Sequence, residues 1–227
     1  MSYALAYLLY AFGQAAVALW GLSLWRRERS WATLALLLPP AAVVYDNVII
    51  AIGASIGAGP LLEALTVPRF AGHALLTPIW IVGAAGLALR SGAFARWKRT
   101  VSLGSWVLYG AMVVIGLINE VIVFRGELVS DGDVLYYTNV GRIFTPPPPS
   151  LTMLTVALIA GAVVLWRTRG RWPWMALGAI AVGAAQAGRT SAISFVLVNS
   201  GEVLMALSLV ATLWYLQRRQ AIIATAP

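Results

Sequence analysis

The feature that most restricts this chain is a rhythm. Apolar stretches about as long as a bilayer is thick alternate with short polar connections, and basic residues crowd into every second connection. The stretches fall at about 3–25, 31–57, 70–89, 101–124, 151–166, 172–188 and 193–216. A hydrocarbon core about 30 Å thick takes roughly 20 helical residues to cross. No water is available there for backbone groups, so a segment crosses as a helix or as part of a closed barrel. These runs are continuous rather than alternating, which selects the helix. The expected fold is all-α: a polytopic bundle of seven transmembrane helices forming one domain over 1–227. The fifth and sixth stretches are short and call for a thin or tilted passage. The first lacks a basic leader and is too long for the apolar part of a signal peptide, so it is read as a retained helix. At 60% apolar and 11% charged residues, the composition is that of a membrane protein.

The net charge of +8 would suit a nucleic-acid partner if it formed one face, but its distribution says otherwise. Arg26, Arg27 and Arg29 follow the first stretch, and Arg90, Arg96, Lys98 and Arg99 the third. Arg167, Arg169 and Arg171 follow the fifth, and Arg218 and Arg219 the seventh. Twelve of sixteen basic residues thus lie in alternate connections, the bias that keeps such loops in the cytoplasm. The N-terminus is expected outside and the C-terminus inside, in what reads as a bacterial plasma membrane, with membrane lipids and no nucleic acid as partners.

Absences narrow the chemistry. The chain has no cysteine and a single histidine, His73, which excludes disulfides, thiolate catalysis, thiolate-held metals and bis-histidine haem. Its one lysine, Lys98, lies in an inner connection, so a buried retinal Schiff base is excluded too. No metal and no cofactor are expected. No internal repeat is evident, and an odd number of spans argues against an inverted-repeat transporter. Gly53-x-x-x-Gly57, Gly83 to Gly86 and Gly178 through Gly188 read as sites of close helix packing. Pro39-Pro40 should kink the second span or delay its start. The one long connection, about 125–150 on the outer side, carries the turn signal Asp131-Gly132-Asp133 and a strand-like run from Val134 to Thr138. Four prolines at 146–149 then favour a stiff extended segment. Such a loop is either a lid or a solvated connector.

Against this background three acids stand out, because Asp46, Glu120 and Glu202 lie inside apolar stretches. An ionisable group at that depth costs at least a few kcal/mol and as a rule faces a protein interior. Counting about 1.5 Å per residue from the outer ends puts Asp46 roughly 16 Å, Glu202 about 12 Å and Glu120 about 6 Å below the outer edge. Arg69 and His73, four residues apart, share a helical face at the outer start of the third span. The arginines that break the inside bias, Arg69, Arg125, Arg142 and Arg189, are all outer. One polar pocket open to the outer leaflet or face is expected, with Asn47, Asn119 and Asn199 beside the acids. Each acid also has a plain structural reading: Asp46 and Glu202 as polar glue between helices, Glu120 as the partner of Arg125 or Arg69. His73 could be no more than a satisfied hydrogen-bonding group, and Arg69 and Arg189 counter-ions or headgroup contacts. Trp80, Trp106, Tyr136 and Tyr137 are interfacial aromatics, or pocket walls where they turn inward.

The chemistry such a pocket permits is acid-initiated. A buried carboxyl tends to stay protonated and can act as a donor, and aromatic faces stabilise the carbocation that follows. In size, in its seven spans, and in placing Asp46 on the second span and Glu202 on the last, the chain resembles the integral-membrane terpene cyclases. The flanks Tyr45-Asp46-Asn47 and Ser200-Gly201-Glu202 are its own. The resemblance implies a metal-independent cyclase of terpenoid or meroterpenoid biosynthesis acting on a lipophilic prenylated substrate, with Asp46 or Glu202 donating the proton and the other orienting it or removing a proton at the end; Glu120 is the third candidate catalytic acid. Asn47, Arg69, His73, Asn119, Tyr136, Tyr137, Arg189, Asn199, Trp80 and Trp106 would surround the substrate. Two rivals use the same residues: a proton-coupled transporter or channel, and a non-catalytic lipid-binding protein. A relay would need polar groups continuing to the inner face, and the inner halves of the spans carry almost no charge.

Overall fold

The computed structural model describes residues 2–187 and 195–225. It is a helical bundle with one small β-hairpin. Five helical stretches are long and apolar enough to cross a membrane: Tyr3–Glu28, Trp31–Ile56, Pro60–Arg90, Ala95–Ile122 and Pro148–Arg167. A shorter apolar helix and a long C-terminal helix complete the bundle. The elements are α1 (Tyr3–Glu28), α2 (Trp31–Leu34), α3 (Leu38–Ile56), α4 (Pro60–Leu75), α5 (Trp80–Arg90), α6 (Lys98–Leu117), β1 (Gly126–Asp131), β2 (Val134–Asn139), α7 (Pro148–Arg167), α8 (Trp174–Ala187) and α9 (Phe195–Thr225).

Proline sets several of these boundaries. Pro39 and Pro40 occupy the first turn of α3, where a missing N–H removes no intrahelical bond. The second stretch therefore begins as the short α2 and restarts at Leu38. Pro148 and Pro149 likewise open α7. The expectation of an extended run through all four prolines is corrected to the first two, because a ring-fixed φ suits a first helical turn as well as an extended strand. The third stretch departs furthest. Helix begins at Pro60, ten residues before the expected boundary at 70, and breaks into a 3₁₀ turn over Thr77–Ile79 before α5. Pro68 lies within α4.

The one long connection holds a β-hairpin. β1 and β2 pair antiparallel from Gly126↔Asn139 to Asp131↔Val134, with Gly132-Asp133 at the turn. The turn signal and second strand match the sequence reading; β1 has a polar, exposed face that hides its strand period. The hairpin sits on the bundle through Gly53 of α3, where any Cβ would stand 1.9 Å from the Leu135 carbonyl oxygen. Gly53 thus serves strand-on-helix packing. Gly57, the other half of that motif, caps the helix with φ +82°. Gly83 and Gly86 approach Leu36 and Ala32, and Gly178 approaches Ser208, as the close-packing reading requires.

At the opposite end the C-terminal turns of several helices meet. Glu28 pairs with Arg90 at 2.5 Å, Arg219 Nη1 donates to the Arg167 carbonyl at 3.4 Å, and Gln220 Nε2 to that of Arg90 at 3.3 Å. Basic residues from alternate connections therefore share one end of the bundle. Between that end and the hairpin lies the main apolar core, built from α1, α5, α7, α8 and α9 around Leu24, Ile81, Leu87, Met205, Leu209 and Leu213.

Candidate functional site

The site is assembled near the hairpin end by helices far apart in sequence. Asp46 is buried on α3, and its Oδ1 accepts a hydrogen bond from Arg69 Nε of α4 at 2.6 Å. Its Oδ2 faces His73 Nε2 at 3.6 Å. Arg69 and His73 reach one carboxylate because they stand one helical turn apart on α4, as their spacing predicts. Tyr45, beside Asp46, donates its hydroxyl to the Leu65 carbonyl at 3.0 Å and fixes α3 against α4. The hairpin closes over the group. Arg69 Nη1 donates to the Tyr137 carbonyl at 3.4 Å, and the guanidinium lies 6.0 Å from the Tyr136 ring.

One residue further along α3 the polar seam turns toward α9. Asn47 Nδ2 donates to the Val43 carbonyl at 2.9 Å, and its Oδ1 accepts from Asn199 Nδ2 at 3.2 Å. Glu202 follows Asn199 by one helical turn on α9 and is partly buried. Tyr7 of α1, fully buried, packs with Ile50 and Tyr136. Around the buried Asp46–Arg69 pair thus gather a partly exposed imidazole, two buried carboxamides and the rings of Tyr7 and Tyr136, with a second carboxyl one turn beyond Asn199.

This geometry corrects one expectation. A neutral, proton-bearing Asp46 followed from burial alone. With a permanently charged guanidinium at 2.6 Å, Asp46 is held as the anion of a charge-assisted pair.

Glu120 belongs elsewhere, so the single expected pocket divides in two. Glu120 and Asn119 lie buried in a π-helical turn, Ile118–Ile122. Both oxygens of Glu120 accept from Arg142 Nε, at 2.8 and 2.9 Å, rather than from Arg125 or Arg69, because residues 139–144 fold back across the turn. Asn119 exchanges bonds with the Phe144 backbone, Oδ1 accepting at 2.9 Å and Nδ2 donating at 3.3 Å. Asn139 donates to the Asn119 carbonyl at 3.1 Å and accepts from Arg125 N at 3.1 Å and Gly141 N at 2.9 Å. The ring of Phe70 separates the two groups, 5.7 Å from Arg69 and 5.4 Å from Arg142.

The remaining sequence candidates lie apart. Trp80 is buried in the apolar core and donates to the Leu36 carbonyl at 3.3 Å. Trp106 is 38% exposed on α6 and meets Tyr109 edge to face at 5.8 Å, as expected of an interfacial or lipid-facing ring. Arg189 lies outside the described residues. Sequence reasoning missed Tyr7 as a site residue and Arg142 as the partner of Glu120. Arg142 carried a signal, since it breaks the inside bias; Tyr7 carried none that separates it from other tyrosines of α1. Among the described residues, no three His, Cys, Asp or Glu side chains come together as metal ligands.

No protein-family model matches this chain, and no curated protein matches it in sequence.

Proposed function

We propose that the protein is a membrane-embedded, metal-independent cyclase that protonates a lipophilic prenylated substrate and closes it through a carbocation. The observation carrying this reading is the Asn47–Asn199 bond, which sets α9, with Glu202 one turn on, beside the Asp46–Arg69–His73 group. Asp46 is committed to Arg69, which assigns delivery of the proton to Glu202. The Glu202 proton adds to one alkene carbon as the π pair becomes the new C–H bond. The neighbouring alkene attacks the resulting cation and forms the ring C–C bond. A final C–H proton leaves to a base, so product and substrate have equal mass. The Asp46 carboxylate and His73 serve as that base and orient Glu202. Tyr7, Phe70 and Tyr136 offer ring faces to the cation. Support against a proton relay comes from the packed apolar core beyond the site, which offers no continuous chain of ionisable groups.

The test uses purified protein and farnesyl- or geranylgeranyl-bearing acceptors in the presence of EDTA. The expected product is a cyclised isomer of unchanged mass. Glu202→Gln should lower its formation about 10²–10⁴-fold, the usual contribution of a general acid. Full turnover in that variant would remove Glu202 from the donor role. No conversion of any prenylated substrate, together with pH-dependent uptake in proteoliposomes, would replace the cyclase by a transporter.

In the same reading the chain makes seven passages through a bacterial plasma membrane, with its N-terminus and hairpin outside and its basic end in the cytoplasm. The charge bias supports this orientation. Single cysteines placed at positions 60 and 130 should label from outside, and those at 96 and 169 only after permeabilisation. Reversed labelling would turn the site to the inner leaflet.

A further inference from the structure

Gln14 of α1 is fully buried, and among the described residues neither its Nε2 nor its Oε1 has a hydrogen-bond partner. A primary amide carries two donors and an acceptor, and leaving such a group buried and unsatisfied costs about 1–3 kcal/mol. In the apolar surroundings of a membrane bundle, a leucine there would cost nothing of the kind. A side chain kept at such a cost calls for a partner from outside the chain.

The packing of α1 fixes where Gln14 points. Its buried stripe runs through Tyr7, Ala11, Gln14, Val17, Gly21 and Leu24. A Cβ on Gly21 would meet Leu37 just before α3 on one side and Val210 of α9 on the other. Fourteen residues earlier, Tyr7 packs with Ile50 of α3, and a Cβ on Gly13 would meet Val203 of α9 at 3.3 Å. Thus α3 runs antiparallel and α9 parallel to α1 along the same stripe. Gln14, midway between Tyr7 and Gly21, is directed into the seam between α3 and α9. In that register Val43 and Asn47 stand on one side, and Asn199, Glu202 and Val203 on the other, all within about a helical turn.

We infer that Gln14 is a ligand-binding residue that receives a neutral hydroxyl group of a lipophilic molecule lodged in the α1–α3–α9 seam. A hydroxyl both donates and accepts, which suits an amide offering both functions. The charge is set by the surroundings: the carboxamides of Asn47 and Asn199, which stand at this level of the seam, are neutral. The lipophilic character follows from the walls, which are the apolar core, and from the outer face of α1, where Leu5, Leu8, Leu9, Phe12 and Leu19 are exposed for approach from the bilayer. The inference deepens the cyclase reading by naming the polar end of the substrate. Its test reads binding without turnover, so either can fail while the other stands.

The experiment compares wild type with Gln14→Leu, and with Gln14→Met in case the branched side chain fits poorly. Melting in detergent is measured alone, with farnesol, and with farnesene, which keeps the chain but lacks the hydroxyl. Without ligand, at least one variant should melt higher than wild type by about 2–4 °C for each kcal/mol of desolvation removed. Wild type should bind farnesol more tightly than farnesene, and the substitution should weaken farnesol about tenfold, one hydrogen bond's worth, while leaving farnesene unchanged. If both variants melt below wild type, the amide is satisfied within the fold and the inference is overturned. It is equally overturned if wild type does not distinguish the two probes, or if the substitution leaves the distinction intact.

Discussion

Asp46 and Glu120 each meet an arginine in a buried setting, at 2.6 and 2.8 Å, yet the surroundings of the two pairs differ. Glu120 itself is held by the side chains of Arg142 and Asn119, and the two asparagines beside it bond mainly to main chain. Asn119 and Asn139 tie the π turn to the loop at Phe144, Arg125 and Gly141, and Arg142 closes the group with one nitrogen on both carboxylate oxygens. Such an arrangement latches a loop to a helix end. Around Asp46 the neighbours are themselves chemically active: an imidazole at 3.6 Å, a second carboxyl one turn beyond Asn199, and phenols from α1 and β2. A salt bridge alone therefore does not separate structural from functional acids; the difference lies in what else the carboxylate faces. By that criterion Glu120 moves out of the catalytic set in which the sequence placed it.

Breaking each pair gives the largest expected effect. Both side chains of the Arg69–Asp46 pair are almost wholly buried, at 5% and 7% exposure, so Arg69→Met strands an anion and should cost about 3–5 kcal/mol. Adding Asp46→Asn removes the stranded charge and should restore most of that loss, read as a coupling energy from denaturation of the two single variants and the double variant. Arg142→Met should cost less, because 22% of the Arg142 side chain is in solvent. Its signature is local: faster proteolysis between 139 and 147 in an otherwise intact bundle. Equal, small losses in both variants would mean that both pairs are solvated, and the distinction between latch and site would collapse.

How much of this was legible follows from the range of each interaction. Arg69 and His73 were placed on one face because i and i+4 is a property of a single helix. The proline starts, the Gly132 turn and the close-packed glycines are equally local. The join between Asn47 and Asn199 spans 152 residues, and no local pattern encodes that pairing, although both residues stood out as polar groups in apolar runs. The boundary at 70 missed the first ten residues of α4, where Pro68 lies inside the helix; an interior proline costs helix locally and only the bundle around it compensates. Asp46 was misjudged in charge for a related reason. Burial is readable from the sequence, but the partner that decides a buried group's state comes from another helix. Gln14 illustrates the reverse: its residue type and position were visible, and only the packed structure reveals that its amide has no partner among the described residues.

The smallest expected effect lies at the hairpin tip, where the comparison extends to a fully exposed carboxylate. Asp133 accepts hydrogen bonds from the Ser2 hydroxyl, from Tyr3 N at 2.7 Å and from Ala4 N at 3.2 Å. It thereby satisfies N–H groups at the start of α1 that have no intrahelical partner and joins the hairpin to that helix. The Ser2 hydroxyl, with help from the two amides, holds the Asp133 carboxyl below its ordinary value. A group whose folded-state pKa is depressed contributes stability above its unfolded pKa and loses it as the pH falls through the folded value. The contribution should therefore be complete at neutral pH and fade only below about pH 4. Asp133→Asn keeps an acceptor oxygen but removes the charge, so wild type should exceed it slightly in melting temperature near neutrality, with the gap narrowing progressively as the pH falls below about 4. Because the carboxylate is fully exposed, added salt should narrow the gap at neutral pH as well. A gap that stayed constant from neutral to acid pH would assign the contact to shape rather than charge, leaving the hairpin held to the bundle by Gly53 packing and the Arg69–Tyr137 bond.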